Sequence, residues 1–279
     1  MMLLAKCNLP ALLILLSPNF LSGQEKNDYQ LVWSDEFNKE GVPDSAKWNY
    51  EKGFVRNEEL QWYQPANARC RNGLLIIEAR KEQRPNPVYT EGSNDWRKNR
   101  PFIQYTSSCL LTAGKQSWTY GRFELRARID IDAGLWPAWW TLGVEKRWPE
   151  NGEIDIMEYY RDKLLANFLC LGKDGKQEWH TTTRSVEAMG GKEWASKFHL
   201  WRMDWTATSV ALYVDDLLLN KVPVDSLVNK DGSGFNPFKQ PHYMLLNLAI
   251  GGQNGGNPAN TSFPRSFAVD YVRVYQKIN

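Results

Sequence analysis

Short apolar runs alternate along the chain with turn-forming residues. In chain order they read "YQLVWSDEF", "GLLIIEAR", "QYTSSCLLTAG", "YGRFELRARI", "WPAWWTLG", "EIDIMEYY", "HLWRMDW", "SVALYVDDLLL", "YMLLNLAI" and "FAVDYVRVYQ". Gly, Asn, Asp and Pro separate them, and no long segment has the 3.6-residue period of an amphipathic helix. This pattern predicts an all-β fold, a sandwich or a barrel.

Tryptophans are concentrated in one of these runs, "GLWPAWWTLG". Because side chains alternate along a strand, Trp136, Ala138 and Trp140 share one face and Trp139 occupies the other. One face then meets the core, and the other forms a groove where flat indoles stack on sugar rings. The alternative is core packing for all of these indoles. We predict that Trp136 and Trp140 contact substrate.

The run "GEIDIMEYY" contains three carboxylates whose spacing does not fit a regular strand. Glu153 and Asp155 share a face, but plain alternation places Glu158 on the opposite one. A β-bulge with Met157 as the extra residue shifts the alternation by one place. All three acids then lie on one face, and the two isoleucines between them pack beneath the sheet.

This arrangement is suited to acid–base chemistry on a glycosidic bond. After the bulge, Glu153 and Glu158 are spaced roughly 13 Å apart at ~3.3 Å per residue. On a concave sheet their carboxyl groups can approach the ~5–5.5 Å separation of retaining glycosidases. Three acids this close cannot all ionise freely, so one should keep its proton and act as a general acid. The alternatives are an acidic exposed face and a cation site, although oxygen cages usually come from loops.

The 279 residues are expected to form one domain, residues 24–279, after a signal peptide at residues 1–23. Lys6 precedes a short apolar run, Leu9 to Leu16, which is well short of the ~18 residues of a membrane span. Cys7 lies before that run, so lipidation is not expected. The small net charge, +2, does not favour binding to nucleic acid or to an anionic membrane. We predict an exported protein.

Cysteines remain open to two interpretations. The mature chain keeps Cys70, Cys109 and Cys170, an odd number without C-x-x-C spacing, so neither a zinc site nor a disulfide framework is indicated. A Cys70–Cys109 disulfide is one option, and buried free thiols are the other.

Most of the chain resembles glycoside hydrolase family 16. "GEIDIMEYY" is similar to that family's E-[I/L]-D-[I/V]-M-E signature in the laminarinase-like branch, which carries the bulge methionine. "LVWSDEF", "NEELQWY", "GLLIIEARK", "YGRFELRARI", "LWPAWWTLG", "FHLWRMDW" and "VDYVRVYQ" match in the same order. The resemblance implies a β-jelly roll of two curved antiparallel sheets with a concave cleft, and retaining hydrolysis. It also implies Glu153 as nucleophile, Glu158 as acid/base and Asp155 as the residue that supports the nucleophile.

Weaker matches suggest further roles. "NEELQWY" resembles the family's cleft wall, so Asn57 and Glu59 are candidates for contact with sugar hydroxyls or for fixing a loop. His199 and Trp205 match a family strand, and a structural role is expected for His199.

The resemblance also implies a structural calcium site away from the cleft. Its ligands would be Glu36, Asp270 and the backbone carbonyl of Gly73, since calcium prefers hard oxygen donors. No cofactor is expected for catalysis.

One departure from the family affects specificity. Laminarinases tend to follow the acid strand with a histidine-containing strand, whereas His180 here lies well downstream in a polar stretch. Because loops around the acids set the sugar specificity, this departure leaves the choice of substrate open. From the resemblance as a whole we expect an endo-β-glucanase acting on β-1,3 or mixed β-1,3/1,4 linkages, and we expect a monomer. The alternatives are an endo-β-galactosidase acting on galactans or on mucin and keratan-type glycans, and a non-catalytic carbohydrate-binding jelly roll.

Overall fold

The structure, a computed structural model, describes residues 28–278, and the structural statements that follow concern that part of the chain. The proposed signal peptide lies outside the described residues. Within them, no helix is both long enough and apolar enough to cross a membrane.

Strands occupy the apolar runs and also the region between "EIDIMEYY" and "HLWRMDW". In chain order they are β1 (Tyr29–Asp35), β2 (Asn49–Tyr50), β3 (Gln61–Tyr63), β4 (Ala68–Arg71), β5 (Leu74–Pro85), β6 (Phe102–Ser107), β7 (Cys109–Leu111), β8 (Gly121–Arg128), β9 (Leu135–Gly143), β10 (Glu153–Tyr160), β11 (Lys163–Leu171), β12 (Gln177–Ser185), β13 (His199–Trp205), β14 (Ser209–Val214), β15 (Leu217–Pro223), β16 (His242–Ile250) and β17 (Arg265–Lys277). The short α-helices are α1 (Gly191–Ala195) and α2 (Gly252–Gly255), and single 3-10 turns cover Pro65–Asn67, Lys173–Gly175, Glu187–Met189, Val224–Leu227 and Pro237–Lys239.

Two sheets form a jelly-roll β-sandwich, as the sequence predicts. One has the strand order β12-β11-β10-β9-β16-β7-β2. The other follows β15-β14-β13-β8-β17-β5-β6-β3, with β1 paired to β17 and β4 paired to β5. The pairs are antiparallel except for β3 and β6, which run parallel.

The inner faces of both sheets enclose the main hydrophobic core. From β10 the residues Ile154, Ile156, Met157 and Tyr159 enter it, and Trp139 of β9 is fully buried among them. Burial of this apolar surface stabilises the sandwich. It also anchors the back of the strand whose front carries the acids.

Strand β9 shows the predicted division of its indoles. Trp139 belongs to the main core, whereas Trp140 and Ala138 belong to a second apolar cluster on the outer face of the same sheet. Trp136 also lies on that outer side, beside Glu158. Both faces of β9 are therefore covered.

The β-bulge in β10 is confirmed by its pairing with β11. Asn167 and Leu165 are two residues apart on β11, but their partners Asp155 and Glu158 are three apart on β10. The extra residue restores Glu158 to the face that carries Asp155.

The prediction that Met157 is the extra residue of the bulge is wrong for the pairing with β9. In the pairing with β9, Met157 lies opposite Trp139, and Ile156 is the residue left without a partner. Both Ile156 and Met157 are fully buried in the core. The bulge is therefore this pair, because a bulge turns two successive side chains towards the same side.

Gly152 allows the chain to enter β10. It adopts a φ of +72°, and a β-carbon added there would lie 2.7 Å from Cβ of Pro237. Only glycine combines this left-handed backbone with so close an approach.

His199 and Trp205 are structural. The buried His199 ring contacts Asp215 at 2.8 Å and the backbone oxygen of Trp194 at 2.9 Å. Trp205 is buried, and its indole N–H donates to the backbone oxygen of Phe238 at 3.2 Å. The structural role expected for His199 is confirmed.

All three cysteines of the described chain are buried free thiols. Cys70 lies in the main core, and Cys109 in the cluster on the outer face of the other sheet. The free-thiol interpretation is confirmed for these residues.

The residues expected to bind calcium do not form an oxygen cage. Arg273 makes two contacts with Glu36, at 2.9 and 2.8 Å, and holds the pKa of that carboxyl below its usual value. Arg126 pairs with Asp270 at 2.5 Å, and Gly73 lies in the turn between β4 and β5. With both carboxylates paired to arginines, these side chains as placed do not fit the ion. Calcium binding stays a prediction of the family resemblance.

Deletion of Met157 should remove the bulge and turn Glu158 towards the core. We expect loss of activity and a lower melting temperature, because a charged group would be buried without a partner. Met157→Leu conserves volume and should cost less than about 1.5 kcal/mol of unfolding free energy. An active deletion variant would refute the dependence of the site on the bulge.

Candidate active site

A cleft of about 750 Å³ runs along the outer face of the seven-stranded sheet. Strands β9 to β12 form its floor, and the segments around residues 55–57 and 253–254 border it. Its lining includes Trp136, Trp140, Trp148, Glu153, Asp155, Glu158, Tyr160, Leu165, Asn167, Gln177, Trp179 and Thr181. The acids and the two predicted indoles therefore share one cavity.

Hydrogen bonds connect the three carboxyl groups. Glu153 and Asp155 are hydrogen-bonded to each other. The side-chain amide of Asn167 donates to Asp155 at 2.9 Å and to Glu158 at 3.0 Å. Since Asn167 is the partner of Asp155 across β10 and β11, the sheet register itself places this bridging amide.

Each glutamate also accepts a hydrogen bond from an indole. Trp148 donates to Glu153 at 2.7 Å, and Trp136 donates to Glu158 at 2.8 Å. A donor aimed at a carboxylate favours its ionised form and fixes its orientation. Each glutamate therefore has an indole donor of its own.

Burial and the repulsion between the acids favour the protonated forms and raise the pKa values. Burial, followed by the charge of Asp155, raises the pKa of Glu153 and of Glu158 well above the ordinary value. Burial also raises the pKa of Asp155 to about 6. A hydrogen bond between two carboxyl groups requires a proton, and the directions of these shifts place it on Glu153, with the ionised carboxylate of Asp155 accepting. The raised pKa of Glu158 favours its protonated form.

Trp140 and Trp136 line the floor of the cleft, but little of either ring is exposed. They are only 8% and 5% exposed, and the indole N–H of Trp140 is directed to Asn247 at 2.7 Å. The guanidinium of Arg56, paired with Glu51, lies 5.1 Å from the Trp140 ring centroid. Stacking of sugars on these indoles stays a prediction.

Asn57 and Glu59 lie beside the three acids that the sequence predicts to be catalytic. Both line a smaller cavity that Glu153 and Glu158 share. Glu59 is buried, accepts from Gln61 at 2.6 Å, and has its pKa raised by burial. Asn57 is exposed and lies in the left-handed region at φ 52°. Contact of either residue with sugar remains a prediction.

A separate loop holds this wall in place. Between β5 and β6, Arg100 donates to the backbone oxygens of Glu59 at 2.6 Å and Glu58 at 2.8 Å. Arg97 donates to the backbone oxygen of Val55 at 2.8 Å. The 55–59 segment is therefore supported by side chains from outside the cleft.

The sequence interpretation did not find Asn167, Trp148 or Trp179. Asn167 is the one amide in the apolar run "LLANFLCL", and a lone polar residue in a strand buried on both sides was its signal. Trp179 is the aromatic residue of the polar strand "QEWHTTTRS". Trp148 lies outside any strand and carried no comparable signal.

Comparison with known proteins is consistent with this geometry. A family model described as glycosyl hydrolases family 16 matches residues 58–273. The chain belongs to this family. A β-glucanase from Rhodothermus marinus is 36% identical over 91% of this chain and 89% of its own length.

Solved structures of family 16 resemble the fold closely. The laminarinase from Rhodothermus marinus has a TM-score of 0.72 at 37% identity, covering 90% of this chain and 98% of its own. A structure from work on endo-acting O-glycanases, with which human gut bacteria initiate mucin breakdown, has a TM-score of 0.81 at 34% identity, covering 90% and 92%. These relatives confirm the predicted family, fold and enzyme class, an endo-acting β-glycosidase.

Two neighbours act in opposite directions on the pKa of Glu158, and their removal should shift the pH profile of activity in opposite directions. The sequence predicts Glu158 as the general acid, which must be protonated to act, so activity is expected to fall as the pH rises through the pKa of Glu158. The charge of Asp155 raises this pKa and the indole of Trp136 lowers it. In profiles of kcat/KM, Asp155→Asn should therefore move the basic limb to lower pH, and Trp136→Phe should move it to higher pH.

Trp140→Phe is the matched control, because its indole donates to an amide and not to a carboxylate. It should leave the basic limb in place. Shifts in the same direction for Asp155→Asn and Trp136→Phe would contradict the assignment of the limb to Glu158.

Proposed function

We propose that the enzyme hydrolyses internal β-1,3 or mixed β-1,3/1,4 glucosidic bonds of polysaccharides by double displacement, with retention. The proposal rests on one observation, the convergence of Glu153, Asp155 and Glu158 on a single cleft through the bulge and the amide of Asn167. A carbohydrate-binding module without catalysis has no need of such an arrangement.

In the first step, a carboxylate oxygen of Glu153 attacks the anomeric carbon and forms an ester bond with the sugar. The glycosidic C–O bond breaks, and Glu158 gives its proton to the departing oxygen. For the attack, the proton of the Glu153–Asp155 hydrogen bond moves to Asp155, which leaves Glu153 ionised.

In the second step, Glu158 is ionised and acts as a base. It takes a proton from a water molecule whose oxygen attacks the anomeric carbon, and the ester bond to Glu153 breaks. Two inversions at one carbon return the original configuration. Another sugar in place of water would give transglycosylation.

The close linkage of the acids supports retention over inversion. Asp155 is hydrogen-bonded to Glu153, and it shares the Asn167 amide with Glu158. Such a short chain of groups is consistent with the ~5–5.5 Å of retaining enzymes, whereas inverting enzymes leave ~6.5–9.5 Å for a water molecule.

A second substrate class is an endo-β-galactosidase activity on mucin or keratan-type glycans. The observation that favours it is the TM-score of 0.81 to the structure from work on mucin-degrading O-glycanases, against 0.72 for the Rhodothermus marinus laminarinase. Fold similarity alone does not set specificity, because loops around the same acids select the sugar.

Reducing-end release from a panel of polymers tests the substrate class. Laminarin and mixed-linkage β-glucan represent the glucan proposal, and agarose, carrageenan and mucin O-glycans represent the galactoside alternative. Cleavage of glucans with intact galactans supports the first proposal, and the opposite pattern replaces it with the second. Release of oligosaccharides of several lengths identifies internal cleavage.

The roles of the two glutamates are tested by azide rescue on an activated aryl glycoside. Glu153→Gly cannot form the ester, so azide should enter the vacated face and give the α-glycosyl azide. Glu158→Ala should lose roughly 10²–10⁴-fold in rate on substrates that need proton donation. It should still form the ester and give the β-glycosyl azide. The reverse stereochemistry would exchange the two roles.

Trp179 is expected to extend the cleft beyond the acids. It is 42% exposed and lies on β12, across β11 from Glu153. If stacking on one sugar is worth as much as an aromatic pair, about 0.5–1.5 kcal/mol, Trp179→Ala should raise KM for long oligosaccharides by roughly 2- to 10-fold. Kinetics on a short aryl glycoside serve as the control and should not change. An equal effect on both substrates would remove this subsite.

Export of the protein is part of the proposal, since polymers of this kind are met outside the cell. Sequencing the amino terminus of the mature protein tests it, with cleavage near residue 23 as the expected result.

A further inference from the structure

The side of β11 and β12 that faces away from the cleft carries a group of side chains that the proposed catalysis does not use. Cys170, Glu178 and His180 each direct a ligand atom to one place, and these atoms all lie within 4.8 Å of one another. Cys170 and Glu178 are partners across β11 and β12, and His180 is two residues further along β12. The sheet register therefore fixes their approach.

We propose that Cys170, Glu178 and His180 form a binding site for a zinc-like divalent cation. A thiolate, an imidazole and a carboxylate suit zinc or cobalt, with water as a fourth ligand. Calcium and magnesium prefer oxygen donors and are not expected here. The thiol of Cys170 transfers its proton to solvent when the metal–sulfur bond forms.

Two further features of the described residues agree with this site. Nε2 of His180 is buried and has no hydrogen-bond partner, although buried polar atoms are normally satisfied. Oε1 of Glu178 lies 3.6 Å from this nitrogen, beyond hydrogen-bonding distance. Cys170 is a free thiol, so its sulfur is not engaged in a disulfide.

Lys230 is the neighbour that opposes metal binding. Its ammonium group pairs with one oxygen of Glu178, Oε1. The cation must use the second oxygen or displace the ammonium, and the two positive charges repel each other. Removal of this charge should therefore tighten metal binding, which supplies a directional test.

The position of the site connects it to the cleft. Trp179 lies between Glu178 and His180 in sequence, and alternation directs its side chain to the opposite face, where it lines the cleft. A cation held by both strands fixes the edge strand β12 to β11. The proposed substrate cleft thereby gains a rigid outer wall.

The experiment uses the whole enzyme, dialysed against EDTA and returned to buffer with excess calcium, so that any calcium site is filled. Titration with Co²⁺ should give one equivalent of binding and a sulfur-to-cobalt charge-transfer band in the near ultraviolet. Zn²⁺ should displace the cobalt and raise the melting temperature by mass action.

Variants locate the ligands. Cys170→Ser should lose the charge-transfer band, and Cys70→Ser, another buried free thiol, should retain it. His180→Gln replaces a half-buried side chain and should lose one-to-one binding while its metal-free melting temperature stays unchanged. Lys230→Met should bind Co²⁺ more tightly than the wild type.

Absence of saturable cobalt binding by the wild type would overturn the proposal. So would a charge-transfer band that survives Cys170→Ser, or unchanged affinity in His180→Gln. If Cys170→Ser does not fold, His180→Gln and Lys230→Met decide the matter, because both lie at partly exposed positions. None of these readouts depends on which polysaccharide the enzyme cleaves.

Discussion

The chemistry of the cleft depends on one displaced register, at which two residues of β10 face a single residue of β11. Without it, the period of two residues would send Glu158 into the core. The displacement uses Ile156 and Met157, whose burial compensates for the disturbed ladder. Apolar packing on one side of the strand thus secures the geometry of charged groups on the other.

That geometry places three acids where solvent does not separate them, a costly arrangement unless each has partners. The partners here are neutral donors, namely the indoles of Trp148 and Trp136 and the amide of Asn167. Arginines would depress the pKa of every acid, as Arg273 does for Glu36. Neutral donors orient the carboxyl groups and still allow one of them to keep its proton.

The fold and the convergence of the three acids could be predicted from the sequence because both leave periodic signals. Alternation identified β9 and its two faces, and the failure of alternation in "EIDIMEYY" identified the bulge. The pairing ladder alone decides between Ile156 and Met157 as the unpaired residue, because both side chains are apolar and buried.

The alternation pattern did not predict β11, because a strand that is buried on both faces is a continuous apolar run in the sequence. Its one amide, Asn167, completes the site through a pairing that is not visible in sequence order. The residues predicted to bind calcium are the opposite case. Glu36 and Asp270 are acids in suitable positions of the chain, but the nearby arginines that pair with them come from β17 and β8.

Two arginines from the loop between β5 and β6 hold the 55–59 segment, so the shape of this cleft wall depends on two loops. They bind backbone oxygens, so the side chains of the wall can vary without loss of the support. The backbone path of this segment cannot vary in the same way, because a new path would leave Arg97 and Arg100 without their backbone acceptors. Divergence in substrate choice is therefore easiest by exchange of side chains on an inherited backbone, and a change in the width of the cleft requires both loops to be replaced together.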